Sequence, residues 1–252
     1  MRRVVVDFTK ELRRWDGFGV NYVQACQTPD YAERPQDYGG FSVLPDADRR
    51  RIVEMVFGED GLRPGLVKMF LDPFHQVEPG RESRPGALEV DPSAYDHEST
   101  TEWMRYFVRE GAERTRARGG ELSVITTLYG PPAWMTRQGV FRGRDLDPER
   151  KLDCAKYMVA WARYLREAEG LDVDYVSLHN EGEDYWRWAP DGTTRPGEGH
   201  DYNLYWPPEQ VVEFVKLVGE VLRANGLADV GVTPGETSNW YRFRHWGYAD
   251  AL

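Results

Sequence analysis

The sequence predicts an α/β fold on a parallel sheet, from three observations. Five short apolar runs each end in polar residues. Amphipathic helical segments or long crossovers separate them. The intervals all exceed the dozen or so residues that a parallel return needs. Two closures fit this pattern, an open doubly wound sheet and the eight-stranded (β/α)8, or TIM, barrel. The runs from Asp16 to Val230 average roughly 53 residues per unit, so eight units would need on the order of 400, more than the 252 present. The expectation is a single domain over residues 1–252 that forms the N-terminal part of a (β/α)8 barrel, about five βα units, with strands six to eight missing. A self-sufficient open α/β sheet with unrelated chemistry is the alternative.

The elements follow in order. Trp15-Asp-Gly-Phe-Gly-Val-Asn21 is the first strand run, and a helix from about Asp46 to Phe57 comes after it, stopped by Gly58. Leu66–Asp72 is the second run. Ser99-Thr-Thr-Glu102 has the spacing of a capping box and opens a helix to about Arg118, ended by Gly119-Gly120. Leu122–Tyr129 is the third run. Asp147-Pro148 starts a helix with Leu152, Ala155, Met158, Val159, Ala162 and Leu165 on one face. Val173–Glu181 is the fourth run. Pro207-Pro208 begins a helix that Asn225-Gly226 ends, and Val230–Glu236 is the fifth run, followed by an aromatic tail with no helix expected.

Composition narrows the function classes. The net charge of −10 repels nucleic acid and anionic membrane surfaces, so neither is expected as a partner. No apolar run approaches the roughly 18 residues of a membrane span. The apolar stretch after Arg2-Arg3 breaks at Asp7, which is too short for a signal peptide. Two cysteines, Cys26 and Cys154, make no disulfide scaffold. A cytoplasmic protein is expected, or a secreted one if the native start lies elsewhere. Oligomeric state is not legible.

The chemistry gathers at the strand ends. Run four closes on His179-Asn180-Glu181, an acid with an amide beside it just past a buried strand. Such a carboxyl can protonate a glycosidic oxygen, and the amide can hold a sugar hydroxyl. Trp186 and Trp188 follow within a loop, as platforms for sugar rings or as cover for a core edge. Asn21, Asp72, His75, Tyr129, Trp134 and Trp240 stand at the other strand ends, where they bind substrate or serve as caps and packing groups. Glu236 is the one visible candidate for a second carboxylate. No chelating set of His, Cys or acidic residues occurs, so no metal and no cofactor is expected. The dinucleotide fingerprint, the phosphate loop and the Gly-x-Ser-x-Gly elbow are missing as well.

Trp15-Asp-Gly-Phe-Gly19, Tyr129-Gly-Pro-Pro-Ala-Trp-Met135 and His179-Asn-Glu181 together resemble the clan of retaining (β/α)8 glycosidases. They are most similar to glycoside hydrolase family 30 and its endo-β-1,6-galactanase-like relatives. The resemblance implies double-displacement hydrolysis of a β-linked poly- or oligosaccharide, with Glu181 as acid/base, Asn180 as the adjacent amide and Trp134 as a subsite wall. It also implies a nucleophile at the end of strand seven, which would leave the isolated chain inactive or nearly so. Lys68 and Asp72 stand where such enzymes often have an arginine. Val4-Val-Val-Asp-Phe8 matches a stray strand of the β-sandwich these enzymes carry. A non-catalytic carbohydrate-binding or degenerate glycosidase fragment is a further alternative.

Overall fold

A computed structural model of the chain describes residues 17–22, 40–76, 78–79, 86–195 and 202–252, with residues 5, 7, 9 and 10 besides. Trp15, Asp16 and Cys26, and with them most of the stretch at Val4–Phe8, lie outside the described residues.

Five parallel strands form one sheet: β1 (Gly19–Asn21), β2 (Leu66–Leu71), β3 (Ser123–Leu128), β4 (Asp172–Ser177) and β5 (Gly231–Thr233). Their spatial order is their chain order. A doubly wound sheet reverses direction at a switch point, and this sheet has no reversal among its strands. Right-handed crossovers that all step the same way put every connecting helix on one face.

The helices α1 (Asp46–Phe57), α2 (Glu102–Ala117), α3 (Lys151–Glu167) and α4 (Pro208–Ala224) supply the crossovers. Their starts have identifiable causes. Asp147 accepts from the Glu149 N–H and, with Pro148, sets a 3-10 turn that runs into α3. Gly226 takes the left-handed φ of 74° that ends α4. The capping box expected at Ser99–Glu102 does not form. Asp96 takes the Ser99 N–H at 3.0 Å instead, and Thr101, the N-cap residue, turns its hydroxyl back to the His97 carbonyl. A local Asx turn thus outcompetes the helix cap for the serine.

Alternate strand residues divide the sheet into two faces. Val67, Met69, Leu71, Val124, Leu128, Val173, Val176 and Leu178 are buried together with Met158, Val159, Trp161 and Leu165 of α3 and with Phe214 and Val218 of α4. Each large side chain there contributes about 1.5–3 kcal/mol. Lys68, Phe70, Ile125, Thr127, Tyr175 and Ser177 share the opposite face by register. The register shifts between Val124↔Val173 and Ile125↔Tyr175, so Asp174 is the extra residue of a bulge. A one-residue slip exchanges faces. This slip turns Ser177 to the side of Thr127.

Two short helices follow β5, α5 (Trp240–His245) and α6 (Tyr248–Ala251), where no helix was expected. Asn239 caps α5 by accepting from the Arg242 N–H at 3.0 Å. The dense aromatic and basic composition of this segment hides an ordinary Asx start. Among the described residues, no helix is long and apolar enough to cross a membrane.

Candidate active site

The C-terminal ends of β4 and β5 are laced together by main chain. The Glu236 N–H donates to the His179 carbonyl at 2.9 Å, and the Glu181 N–H donates to the Glu236 carbonyl at 2.6 Å. Glu181 has a φ of +50°, a left-handed conformation that costs a side-chain-bearing residue roughly 1–2 kcal/mol. The turn brings the next N–H, that of Gly182, back onto His179 Nδ1 at 3.1 Å. Gly182 is itself indispensable, since a Cβ there would sit 2.7 Å from the Leu204 carbonyl oxygen and from the Trp206 ring. The result is a raised acid. The Glu181 side chain is 41% exposed, and Arg187 stands 3.4 Å from it. Strained residues held by their surroundings concentrate at functional sites.

On the face that carries Lys68, a polar cluster draws on β2, β3 and the ends of β4 and β5. Lys68 Nζ donates to Asn180 Oδ1 at 3.0 Å and to Glu236 Oε2, and lies 4.7 Å from the centroid of the Phe70 ring. The other oxygen of Glu236, Oε1, accepts from the Thr127 hydroxyl at 3.0 Å and from Ser177 at 3.4 Å. Of these residues, Asn180 and Glu236 were expected at the site. Lys68 was singled out only as a departure from an arginine, and Thr127 and Ser177 were not foreseen. Their one signal in the sequence is a hydroxyl near the end of an apolar strand.

Behind the acid, His179 is buried against Trp206, with stacked rings 5.7 Å apart. Burial pushes its pKa down to about 3. Because Nδ1 accepts from Gly182, the proton of the neutral ring sits on Nε2. Glu183 is also buried. It accepts from the Ser238 N–H at 3.0 Å, the Ser238 hydroxyl at 2.6 Å and Arg242 at 3.2 Å. Burial alone would raise the pKa of this carboxyl, but the hydrogen bonds prevail and hold it below the ordinary glutamate range. These bonds fasten α5 to the loop that bears Glu181.

The remaining expected residues divide between rim and interior. Trp186 and Trp240 are 70% and 88% exposed. Asn21 is exposed at the end of β1, in register with Lys68. Trp134 is half-buried, donates to the Gln76 carbonyl at 2.9 Å and has the Arg150 guanidinium over its ring. Tyr129 is buried against Phe70. Asp72 caps its own loop, accepting from the Phe74 N–H at 2.9 Å and the Thr100 hydroxyl at 2.8 Å. His75 is 0% exposed and shares a 2.9 Å Nδ1···Nδ1 contact with His97. The indole N–H of Trp188 is turned to the Arg142 carbonyl at 2.7 Å, and the ring is buried. Asp72, His75, Tyr129, His179 and Trp188 therefore lie buried beneath the surface. Among the described residues, no group of three or more His, Cys, Asp or Glu side chains is placed to hold a metal ion.

A parallel α/β sheet in chain order defines the fold class of this chain. No family model matches the chain, and no curated protein matches its sequence. Solved structures do match in fold. A conserved exported protein from Bacteroides fragilis aligns with a TM-score of 0.62 and 16% identity over 93% of this chain and 46% of that one. SrfJ from Salmonella typhimurium aligns at 0.59 and 15%, over 88% of this chain and 44% of that one. The catalytic domain of GH30 xylanase C from Talaromyces cellulolyticus aligns at 0.56 and 13%, over 94% and 51%. The fold relationship to GH30 glycosidases expected from the sequence is thus present. This chain spans about half the length of the structures it matches.

Proposed function

We propose that the chain carries the acid/base half of a retaining glycosidase site acting on a β-linked poly- or oligosaccharide, galactan-like or another β-glycan. Its five strands correspond to the first five of a (β/α)8 barrel. The strand order without reversal supports this. Glu181 protonates the glycosidic oxygen as the C1–O bond breaks, and later takes the proton of the water that releases the sugar. Asn180 holds a ring hydroxyl, and Trp186 and Trp240 stack against sugar faces. The attacking carboxylate belongs to a later strand than the five described. Glu236 is poorly suited to attack, because Lys68, Thr127 and Ser177 engage both of its oxygens.

The observation that carries this reading is Glu181 itself, held in a left-handed turn at the C-terminal end of a parallel strand and left half-exposed. Such folds place catalytic groups at that end. The test supplies the missing nucleophile as azide. On phenyl β-galactoside, azide attacks C1 from the α face, the C1–O bond breaks and Glu181 gives its proton to the phenolate. The expected product is α-galactosyl azide. Glu181→Gln should slow its formation by about 10²–10⁴-fold, yet barely affect a dinitrophenyl galactoside, whose leaving group needs no proton. Azide-dependent turnover that ignores Glu181 on the phenyl substrate overturns the assignment.

A second reading is carbohydrate binding without turnover, favoured by the two exposed indoles. Calorimetry with β-1,6-galactobiose separates the two: binding that Trp186→Ala and Trp240→Ala abolish, in a chain with no azide reaction, supports the binding module.

A further inference from the structure

We infer that Lys68 and Glu236 act as an orienting ion pair that fixes which end of the Asn180 amide faces the cleft. The inference deepens the reading of the site given above and rests on it only for the ligand.

An ammonium group donates and cannot accept. The Asn180 atom that meets Lys68 Nζ at 3.0 Å must therefore be the carbonyl oxygen Oδ1. That leaves the two N–H bonds of Nδ2 on the other side of a side chain that is only half-buried, and they meet no partner among the described residues. Asn180 is thus presented as a donor. With a neutral neighbour in place of Lys68, either end of the amide could turn outward, because the two ends differ little in shape.

Lys68 in turn needs something to hold it. Its side chain is 9% exposed, and an unpaired ammonium at such depth is costly. Glu236 supplies the counter-charge through Oε2 and is held by Thr127 and Ser177 through Oε1. The order of dependence runs from the strand hydroxyls to Glu236, then to Lys68, then to the Asn180 amide. Lys68 and Glu236 are positioning residues in this scheme, and neither has to touch substrate. A lysine where related enzymes have an arginine is then a working alternative in which one point charge engages both an amide oxygen and a carboxylate.

The test reads the amide directly, on the full 252-residue chain labelled with ¹⁵N. Asn180→Asp assigns the Asn180 side-chain signal. Lys68→Met should shift that signal and broaden it as both orientations become populated, while Lys68→Arg restores a single sharp pair. An Asn180 signal unchanged in a Lys68→Met chain whose backbone spectrum is intact overturns the inference. Should Lys68→Met fail to fold, the unsubstituted chain decides: a slowly exchanging Lys68 ¹⁵Nζ signal supports the pair, and a freely exchanging one overturns it. Adding β-1,6-galactobiose separates the two claims. An amide that depends on Lys68 but ignores the sugar supports the ion pair and counts against the glycosidase reading.

Discussion

At the scale of single residues, the left-handed φ of Glu181 sets function against stability. Glycine tolerates that conformation without penalty. Glu181→Gly should therefore raise the unfolding free energy by about 1 kcal/mol while it removes the acid. A denaturant midpoint that falls instead would mean that the Arg187 contact outweighs the strain. Two buried imidazoles make a second prediction. Burial holds His179 down to about 3, and burial with the nearby His75 holds His97 down to about 2, whereas both titrate near 6.5 when unfolded. Between those values the unfolded chain binds more protons, so stability rises with pH. It is complete above about pH 6.5 and declines as pH falls toward 3. The urea midpoint should drop between pH 7.5 and pH 5, and His97→Phe should flatten that slope. Glu181 and Asn180 were readable in the sequence because they adjoin one strand. Lys68 was not, because its partner Asn180 lies 112 residues away and only the fold joins them.

At the scale of elements, the sequence yields what local chemistry decides. The bounds of α1 are legible from the apolar spacing of its residues and the stop at Gly58, and α3 announces itself through Asp147-Pro148. The bulge in β4 is not legible, since Asp174 fits the alternation of a regular strand and the slip arises only on pairing with β3. The capping box failed for a related reason: Ser99 had two partners on offer, and Asp96 accepts both its N–H and its hydroxyl. Inserting one alanine between Tyr175 and Val176 should shift the rest of β4 by one place, turning Val176 away from the core and Ser177 to the helix side. The expected outcome is a loss of several kcal/mol or no folding at all. By contrast, Ser177→Ala removes only the 3.4 Å contact to Glu236 and should cost about 1 kcal/mol or less. Comparable unfolding midpoints for the two variants would show that the register of β4 has no bearing on the placement of the site.

At the scale of the whole molecule, β1 pairs only with β2, and β5 only with β4, among the described residues. Strand edges of this kind template association. Sedimentation of the chain should show association that increases with protein concentration, and a strictly monomeric chain at high concentration would show that these edges are covered. Cys154 reports on the integrity of the core. It is fully buried in α3, and burial pushes its thiol pKa well up. In a Cys26→Ser chain, Cys154 should react with a thiol reagent only at the rate of global opening.

One detail of the lacing between β4 and β5 has a wider consequence. Glu181 is anchored through the carbonyl of residue 236, and every amino acid owns a carbonyl. Exchange of the side chain at 236 would therefore take the counter-charge from Lys68, yet leave the main-chain bond to Glu181 in place.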